Sequence, residues 1–115
     1  MATRPRPEQL LPLTAVAFEI LMTLVDEDAH GYRIMQAVEE RTGGTVVIHP
    51  GTLYRALARL MEEDLIDERA GESDDVRRKS YRLTEFGRAV AEAEAARLEQ
   101  QVRHARARRL LRRER

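Results

Sequence analysis

The chain has no cysteine and no tryptophan, and only five of its 115 residues are aromatic. The lack of cysteine excludes disulfides, thiolate zinc sites, iron–sulfur clusters and cysteine nucleophiles. Because most of the five aromatic side chains have a core position to fill, we expect no pocket for a large planar ligand. The sequence therefore predicts a protein that carries no cofactor.

Long apolar runs are absent as well. No stretch approaches the roughly 20 apolar residues of a membrane span, and Met1 to Arg6 does not lead into the apolar core of a signal peptide. We therefore expect one domain, a cytoplasmic location and no contact with a membrane.

Charge of one sign is not in excess, since 20 basic residues balance 20 acidic ones. Their distribution is uneven: residues 1–64 carry six Arg against ten acids, and residues 65–115 carry thirteen Arg and one Lys against ten acids. Two explanations of the preference for Arg stay open. Arg binds phosphate and guanine in bidentate fashion, and a GC-rich genome produces the same bias.

The first half of the chain predicts three helices. Prolines at positions 5, 7 and 12 favour an extended arm over residues 1–12 without a regular element. Thr14 is expected to cap a buried helix that ends near Val25, and a second helix is expected from His30 to Thr42, stopped by Gly43. The side chains expected to point inward from this second helix are Tyr32, Ile34, Met35 and Val38. Val46 to Ile48 allows at most one short strand.

The third helix, which begins at Pro50, has an apolar and a basic face. At about 100° per residue, one stripe collects Leu53, Leu57, Leu60 and Met61. The opposite side carries Thr52, Arg55 and Arg59. A helix with such a face fits the major groove of DNA. Exposed Arg on a helix is also commonly only solvated, and Glu62 or Glu63 could pair with these two.

Beyond Glu63 the pattern predicts a β-hairpin and a long helix. Leu65–Ile66 and Ser80–Leu83 favour two strands joined by a turn over residues 71–77. Thr84 is expected to cap a helix that could reach Arg112. Its apolar residues are spaced like the seam of a coiled coil, which predicts pairing with a second copy. These candidate dimer residues are Ala91, Ala95, Leu98, Val102 and Ala105.

The cations that follow the turn are candidates for phosphate contacts. Arg77, Arg78 and Lys79 come after an acidic turn, so we expect them to bind backbone phosphates beside the groove. We do not expect the acidic tip of the hairpin to enter a groove. Seven Arg lie among residues 103–115. This Arg-rich end either holds an anionic surface nonspecifically or is a solvated helix terminus whose cations suit the helix dipole.

Sites for metal binding and catalysis are not predicted. His30, His49 and His104 are far apart and share no acidic cluster, and neither Ser73 nor Ser80 has a His expected nearby. His49 is expected to serve as N-cap or as a phosphate contact before Pro50. The sequence therefore predicts a protein that is not an enzyme.

Three helices, a hairpin and a trailing helix are the order of a winged helix-turn-helix, and the chain resembles the PadR family of transcriptional regulators. The resemblance lies in His30–Met35, Gly51–Leu57, Asp64–Ile66 and Arg77–Thr84, and covers about residues 13–100. It implies a homodimeric repressor with the Pro50 helix in the major groove, the hairpin as wing and the last helix as dimer contact. Because tryptophan is absent, the drug-stacking site of the multidrug-responsive members is absent too, and the identity of a small-molecule effector stays open.

The predicted fold is mainly α with a small β-hairpin: an N-terminal arm (1–12), a winged helix-turn-helix (13–83) and a C-terminal dimerisation helix with an Arg-rich end (84–115). The predicted function is sequence-specific binding of double-stranded DNA at a pseudo-palindromic operator. The competing prediction is an interaction module whose Arg face meets an acidic partner protein. The residues predicted to contact DNA are His49, Gly51, Thr52, Tyr54, Arg55, Arg59, Arg77, Arg78 and Lys79.

Overall fold

The structure, a computed structural model, describes residues 5–69 and 79–112. The elements in these ranges are a 3-10 helix (Pro7–Leu10), α1 (Ala15–Asp26), β1 (Ala29–His30), α2 (Gly31–Arg41), α3 (Pro50–Glu62), β2 (Ile66–Arg69), β3 (Ser80–Leu83) and α4 (Glu85–Ala107). The sheet is antiparallel in the order β1-β3-β2. This arrangement confirms the predicted winged helix-turn-helix with a long last helix. The predicted turn over residues 71–77 lies outside the described residues.

Helix ends follow the predicted local signals in most places. The Thr14 hydroxyl accepts a hydrogen bond from the Ala17 N–H at 3.0 Å, and the Thr84 hydroxyl accepts one from the Gly87 N–H at 2.8 Å. Gly43 has a φ of 62°, the left-handed conformation expected after α2. The predicted end of the last helix at Arg112 is wrong, because α4 already ends at Ala107.

The core lies between α1 and the elements that surround it. α1 contacts α2, α3, α4 and β3, which confirms its predicted central position. Ile20 and Leu21 of α1 are fully buried, as are Ile34 of α2 and Leu53 of α3. These contacts fix α3 against the body through one face only.

The strands outside the hairpin differ in how far the sequence indicated them. Val46–Ile48 forms no strand, which the prediction of at most one short strand allowed; the segment is irregular, and Ile48 enters the core at 4% exposure. The sequence did not predict β1, since two residues carry no alternation to detect. This strand forms because Ala29 and His30 pair with Tyr81 and Ser80 of β3, a partner distant in sequence.

The prediction that the N-terminal arm has no regular element is also wrong. Pro7 begins a 3-10 helix, a position where its missing N–H costs no hydrogen bond. This 3-10 helix packs on α4, and directly after the arm the Leu13 N–H donates to a carboxylate oxygen of Glu94 at 3.0 Å. Contacts distant in sequence therefore give the arm an ordered place on the body.

Gly87 is required by a close approach between α4 and the segment before β2. A Cβ at this position would overlap the Leu65 carbonyl oxygen, a backbone atom that cannot move aside alone. We expect Gly87→Ala to lower the free energy of unfolding by about 1–3 kcal/mol through overpacking. Gly51→Ala is the matched control, because nothing lies within 4 Å of its added Cβ; it should stabilise by up to about 1 kcal/mol. Urea unfolding of both variants tests this, and equal stabilities would contradict it.

Candidate nucleic-acid interface

The third helix presents the face that the sequence predicts. Leu53, Leu57 and Leu60 are 0%, 1% and 3% exposed, whereas Thr52, Arg55 and Arg59 are exposed on the other side. Pro50 stands in the first turn, and the His49 carbonyl accepts from the Leu53 N–H at 2.9 Å. The helix is therefore held by its leucines, and its polar face is free to meet another molecule.

The two arginines of this face differ in their surroundings. The Arg59 side chain is 81% exposed, and its Nε lies 3.5 Å from Glu63 Oε1. This ion pair was one of the two alternatives left open by the sequence. Among the described residues Arg55 forms no ion pair. An exposed pair one turn apart on a helix contributes only about 0.3–0.5 kcal/mol, so both guanidinium groups are available.

Tyr54 packs between the two helices of the helix-turn-helix. Its hydroxyl lies beside Gly31, where a Cβ would come within 2.8 Å of the Tyr54 oxygen. The ring is half-buried and packs against the core, as predicted. Glycine at position 31 therefore allows α2 to begin directly against α3.

The prediction that Tyr32 points inward is wrong. The side chain is 72% exposed in the first turn of α2. The residues of α2 that enter the core are Ile34, Ala37 and Val38. Tyr32 precedes Ile34 by about 200° of helix rotation, so the helical wheel could have placed it outside. Its chain neighbour Gly31 lies beside the Tyr54 hydroxyl of α3.

The described part of the wing neutralises its own cations. Lys79 pairs with Glu68 at 2.5 Å, Arg82 pairs with Asp67 at 3.4 Å, and Arg69 pairs with Asp28 at 3.2 Å. Lys79, a predicted phosphate contact, already has an acidic partner. Arg77 and Arg78 lie outside the described residues.

The predicted dimer residues of α4 divide into two groups. Ala91 is 6% exposed and belongs to the core of its own chain, so it has little surface to offer a second copy. Ala95 is exposed and Val102 is 38% exposed, while Leu98 and Ala105 are half-buried. The same apolar stripe is thus covered by the body at its start and only partly covered from Ala95 onward.

A buried carboxylate that the sequence patterns did not predict joins the arm to this helix. Glu94 is 2% exposed and receives hydrogen bonds from Arg97 Nε at 2.5 Å and Arg97 Nη2 at 3.1 Å, besides the one from Leu13. The hydrogen bond from Arg97 holds the pKa of Glu94 below its usual value, although burial acts in the other direction. The free energy that the ionised Glu94 carboxylate contributes to folding is therefore present at neutral pH. It is lost as the pH falls through the lowered pKa.

Residues 5–69 and 79–112 offer little to other kinds of site. There, no group of three or more His, Cys, Asp or Glu side chains is placed to hold a metal ion. The same ranges contain no helix that is both long and apolar enough to span a bilayer. The exposed face of α3 with the start of α2 is thus the candidate site.

Solved structures share this fold. A transcriptional regulator from Clostridium thermocellum is 30% identical, with a TM-score of 0.72 over 80% of this chain and 87% of that one. The Bacillus subtilis PadR, solved in complex with operator DNA, is 23% identical, with a TM-score of 0.61 over 70% of this chain and 47% of that one. At that identity, the second likeness shows the fold alone.

Sequence comparisons agree with the fold. An uncharacterised protein of Lysinibacillus sphaericus is 37% identical over 71 residues, which are 61% of this chain; the match spans 65% of that protein's length. Residues 20–93 match the family described as the transcriptional regulator PadR-like family. The chain therefore belongs to the PadR family of transcriptional regulators.

Proposed function

We propose that the chain binds double-stranded operator DNA as a homodimer and represses transcription by occluding the site. The exposed face of α3 carries this proposal, because Thr52, Arg55 and Arg59 stand opposite the buried leucines. The major groove, about 12 Å wide, accepts a helix, and Arg is the usual bidentate partner of guanine there. Family membership supports the same function, and a cytoplasmic location follows from it.

Contacts with the DNA backbone are assigned to the rim of this face. The first turn of α3 after His49 has no side-chain cap, so its N–H groups are available to a phosphate. Gly51 leaves that turn open, with nothing within 4 Å of an added Cβ. The hydroxyl groups of Tyr54 and of the exposed Tyr32 are further candidates for contacts with DNA phosphates. These contacts position the helix without reading bases.

The dimer is assigned to the uncovered part of α4. Ala95, Leu98, Val102 and Ala105 continue the stripe beyond the body, and the same surface of a second chain would bury it. We retain 13–83 as the DNA-binding part and 84–115 as the dimerisation part. Two α3 helices related by a two-fold axis select a pseudo-palindromic operator.

A salt titration separates this proposal from the interaction module. Affinity for mixed-sequence duplex should fall with salt at a log–log slope of about −0.9 for each phosphate contact on B-DNA. An interaction module would bind duplex weakly at every salt concentration, and that result would overturn the proposal. Selection of bound fragments from genomic DNA would then supply the operator and the spacing of its half-sites.

The cations after the turn should act through phosphates. Replacing Arg77, Arg78 and Lys79 with Ala should weaken binding to all duplexes alike, and each phosphate that is no longer neutralised should flatten the salt slope by about 0.9. Because Lys79 already forms an ion pair with Glu68, Lys79→Ala alone should reduce duplex affinity less than the double variant at Arg77 and Arg78. Relaxed preference at defined operator positions would contradict this prediction and mean that the wing reads sequence.

A further inference from the structure

A cavity lies between the N-terminal arm, the start of α1 and the second half of α3. Its volume is about 200 Å³. The apolar side chains that line it are Leu10, Pro12, Leu13, Ala17, Ala56 and Leu60. All of them are aliphatic. The polar residues of the lining are Thr14, Arg59 and Glu63. Arg59 lies in the last turn of the proposed recognition helix, and Glu63 is its C-cap.

Hydrogen bonds within the chain hold the walls of the cavity. The arm is fixed by the bond from the Leu13 N–H to the buried Glu94, at 3.0 Å. The start of α1 is fixed by the bond from the Ala17 N–H to the Thr14 hydroxyl, also at 3.0 Å. Leu60 is anchored in the core at 3% exposure. A preformed cavity of this kind is what small ligands bind.

Arg59 supplies the polar group. Its one ion pair among the described residues joins Nε to Glu63 at 3.5 Å, a long distance, and leaves both terminal nitrogens without a described partner. Guanidinium carries five N–H donors and binds carboxylates in bidentate fashion. A carboxylate at the mouth of the cavity can therefore engage Arg59 while Glu63 keeps its own contact.

The size of the cavity limits the rest of the ligand. A dry apolar cavity of about 150 Å³ holds benzene, which has six heavy atoms. By proportion, 200 Å³ has room for about eight. A linear carboxylate with about six carbons in all, and so about eight heavy atoms, meets that limit, and its flexible body suits an aliphatic lining that has no aromatic ring to stack on.

We propose that this cavity binds a short aliphatic monocarboxylate and that the bound carboxylate withdraws Arg59 from DNA. The regulatory part rests on the proposed function, because it requires that Arg59 contacts DNA. Arg59 can then bind either the DNA or the carboxylate of the ligand, but not both at once. Coupling is reciprocal, so DNA must weaken ligand binding by the same factor. The binding part stands without DNA and is tested without it.

The first experiment titrates the protein with sodium hexanoate and follows its methyl resonances. The methyl resonances of the lining residues should shift saturably; these residues are Leu10, Leu13, Leu60, Ala17 and Ala56. The methyl resonances of Leu110, which is 74% exposed and does not line the cavity, should not shift. Hexanamide, which keeps the body and lacks the charge, should bind at least tenfold more weakly. Acetate should cause no shift. Absence of saturable shifts at the lining residues overturns the proposal, and equal affinity for hexanamide overturns the role of Arg59.

Two variants fill the cavity. Ala17→Leu and Ala56→Leu should each lower hexanoate affinity at least tenfold, and Ala58→Leu, an exposed position of α3 outside the lining, should leave it unchanged. Circular dichroism verifies that each variant is folded. If a variant does not fold, the titration of the native protein still tests the proposal. Retained affinity in both folded variants would place the ligand elsewhere.

The second experiment measures duplex affinity with and without saturating hexanoate, using chloride at equal ionic strength as the control. Hexanoate should weaken binding of the native protein by about tenfold and leave Ala17→Leu unaffected. Hexanoate that binds the cavity but does not change duplex affinity overturns the regulatory part. A protein that never binds duplex rejects the proposed function instead, and the methyl titration still decides on the cavity.

Discussion

Reversing the charge of Arg55 or Arg59 should nearly abolish operator binding while the fold stays intact. Each side chain stands on the exposed face of α3, so its replacement by Glu removes no packing, and exposed substitutions usually change stability by less than about 0.5 kcal/mol. One bidentate contact to guanine contributes about 1–3 kcal/mol. Two copies in a dimer double this, and operator affinity should fall by roughly 30- to 20,000-fold. Fluorescence anisotropy with a labelled operator measures the loss.

Arg88→Glu is the matched control for this prediction. It makes the same charge reversal at an exposed helical position, but on α4, and should reduce affinity only through the change in net charge. Melting temperatures should agree among the three variants and the native protein. If either α3 variant binds the operator normally, the assignment of that residue is wrong. If Arg88→Glu reduces affinity as much as they do, the effect is general electrostatics and not base contact.

Much of the site could be predicted because its signals are local. The stripe of Leu53, Leu57 and Leu60 fixes which side of α3 is buried, and the position of Arg55 and Arg59 follows from helix geometry alone. The caps of α1 and α4 follow from Thr14 and Thr84 in the same way. Where three or four neighbouring residues decide the structure, the sequence was sufficient.

Most of the features that the sequence did not predict depend on partners distant in sequence. β1 consists of two residues that become a strand only because β3 lies beside them. The arm has an ordered place because its 3-10 helix packs on α4 and the N–H of Leu13, directly after the arm, donates a hydrogen bond to Glu94. Tyr32 is a different case, since helix rotation alone places it away from Ile34. An aromatic ring suggests burial, although the tyrosine hydroxyl makes an exposed position equally acceptable.

Glu94 has a signal in the sequence that points to its burial. It lies four residues after Val90 and four before Leu98, in line with the apolar stripe of α4, where a charge is costly unless it is paired. Arg97, three residues on, supplies the pair, and the arm supplies the third hydrogen bond. A charged residue within an apolar stripe therefore indicates a tertiary contact, but its partner in the arm could not be identified from the sequence.

α4 also extends well beyond the part of it that the core uses. Its first half, with Phe86, Val90 and Ala91, completes the core of one chain. Its second half has no comparable cover from the described part of its own chain, since Val102 is 38% exposed. The N-terminal 3-10 helix packs against α4, and the proposed dimer would use the exposed apolar residues that remain.

Changing Leu98 and Val102 together to Glu should yield folded monomers that have lost operator affinity far more than nonspecific binding. Leu98 is only half-buried and Val102 is exposed, so one chain loses little by the change, whereas four charges would meet at the two-fold axis of a dimer. A single α3 covers too few base pairs to find one site in a genome, and two copies must reach successive major grooves about 34–36 Å apart. Loss of the second copy should cost about 100-fold or more in operator affinity.

Ala96→Glu with Gln100→Glu adds the same charge at exposed positions outside the seam and should remain dimeric. Sedimentation and operator titration decide between the outcomes: a stable dimer of the seam variant would place the interface elsewhere, and a monomer with full operator affinity would remove the need for a dimer.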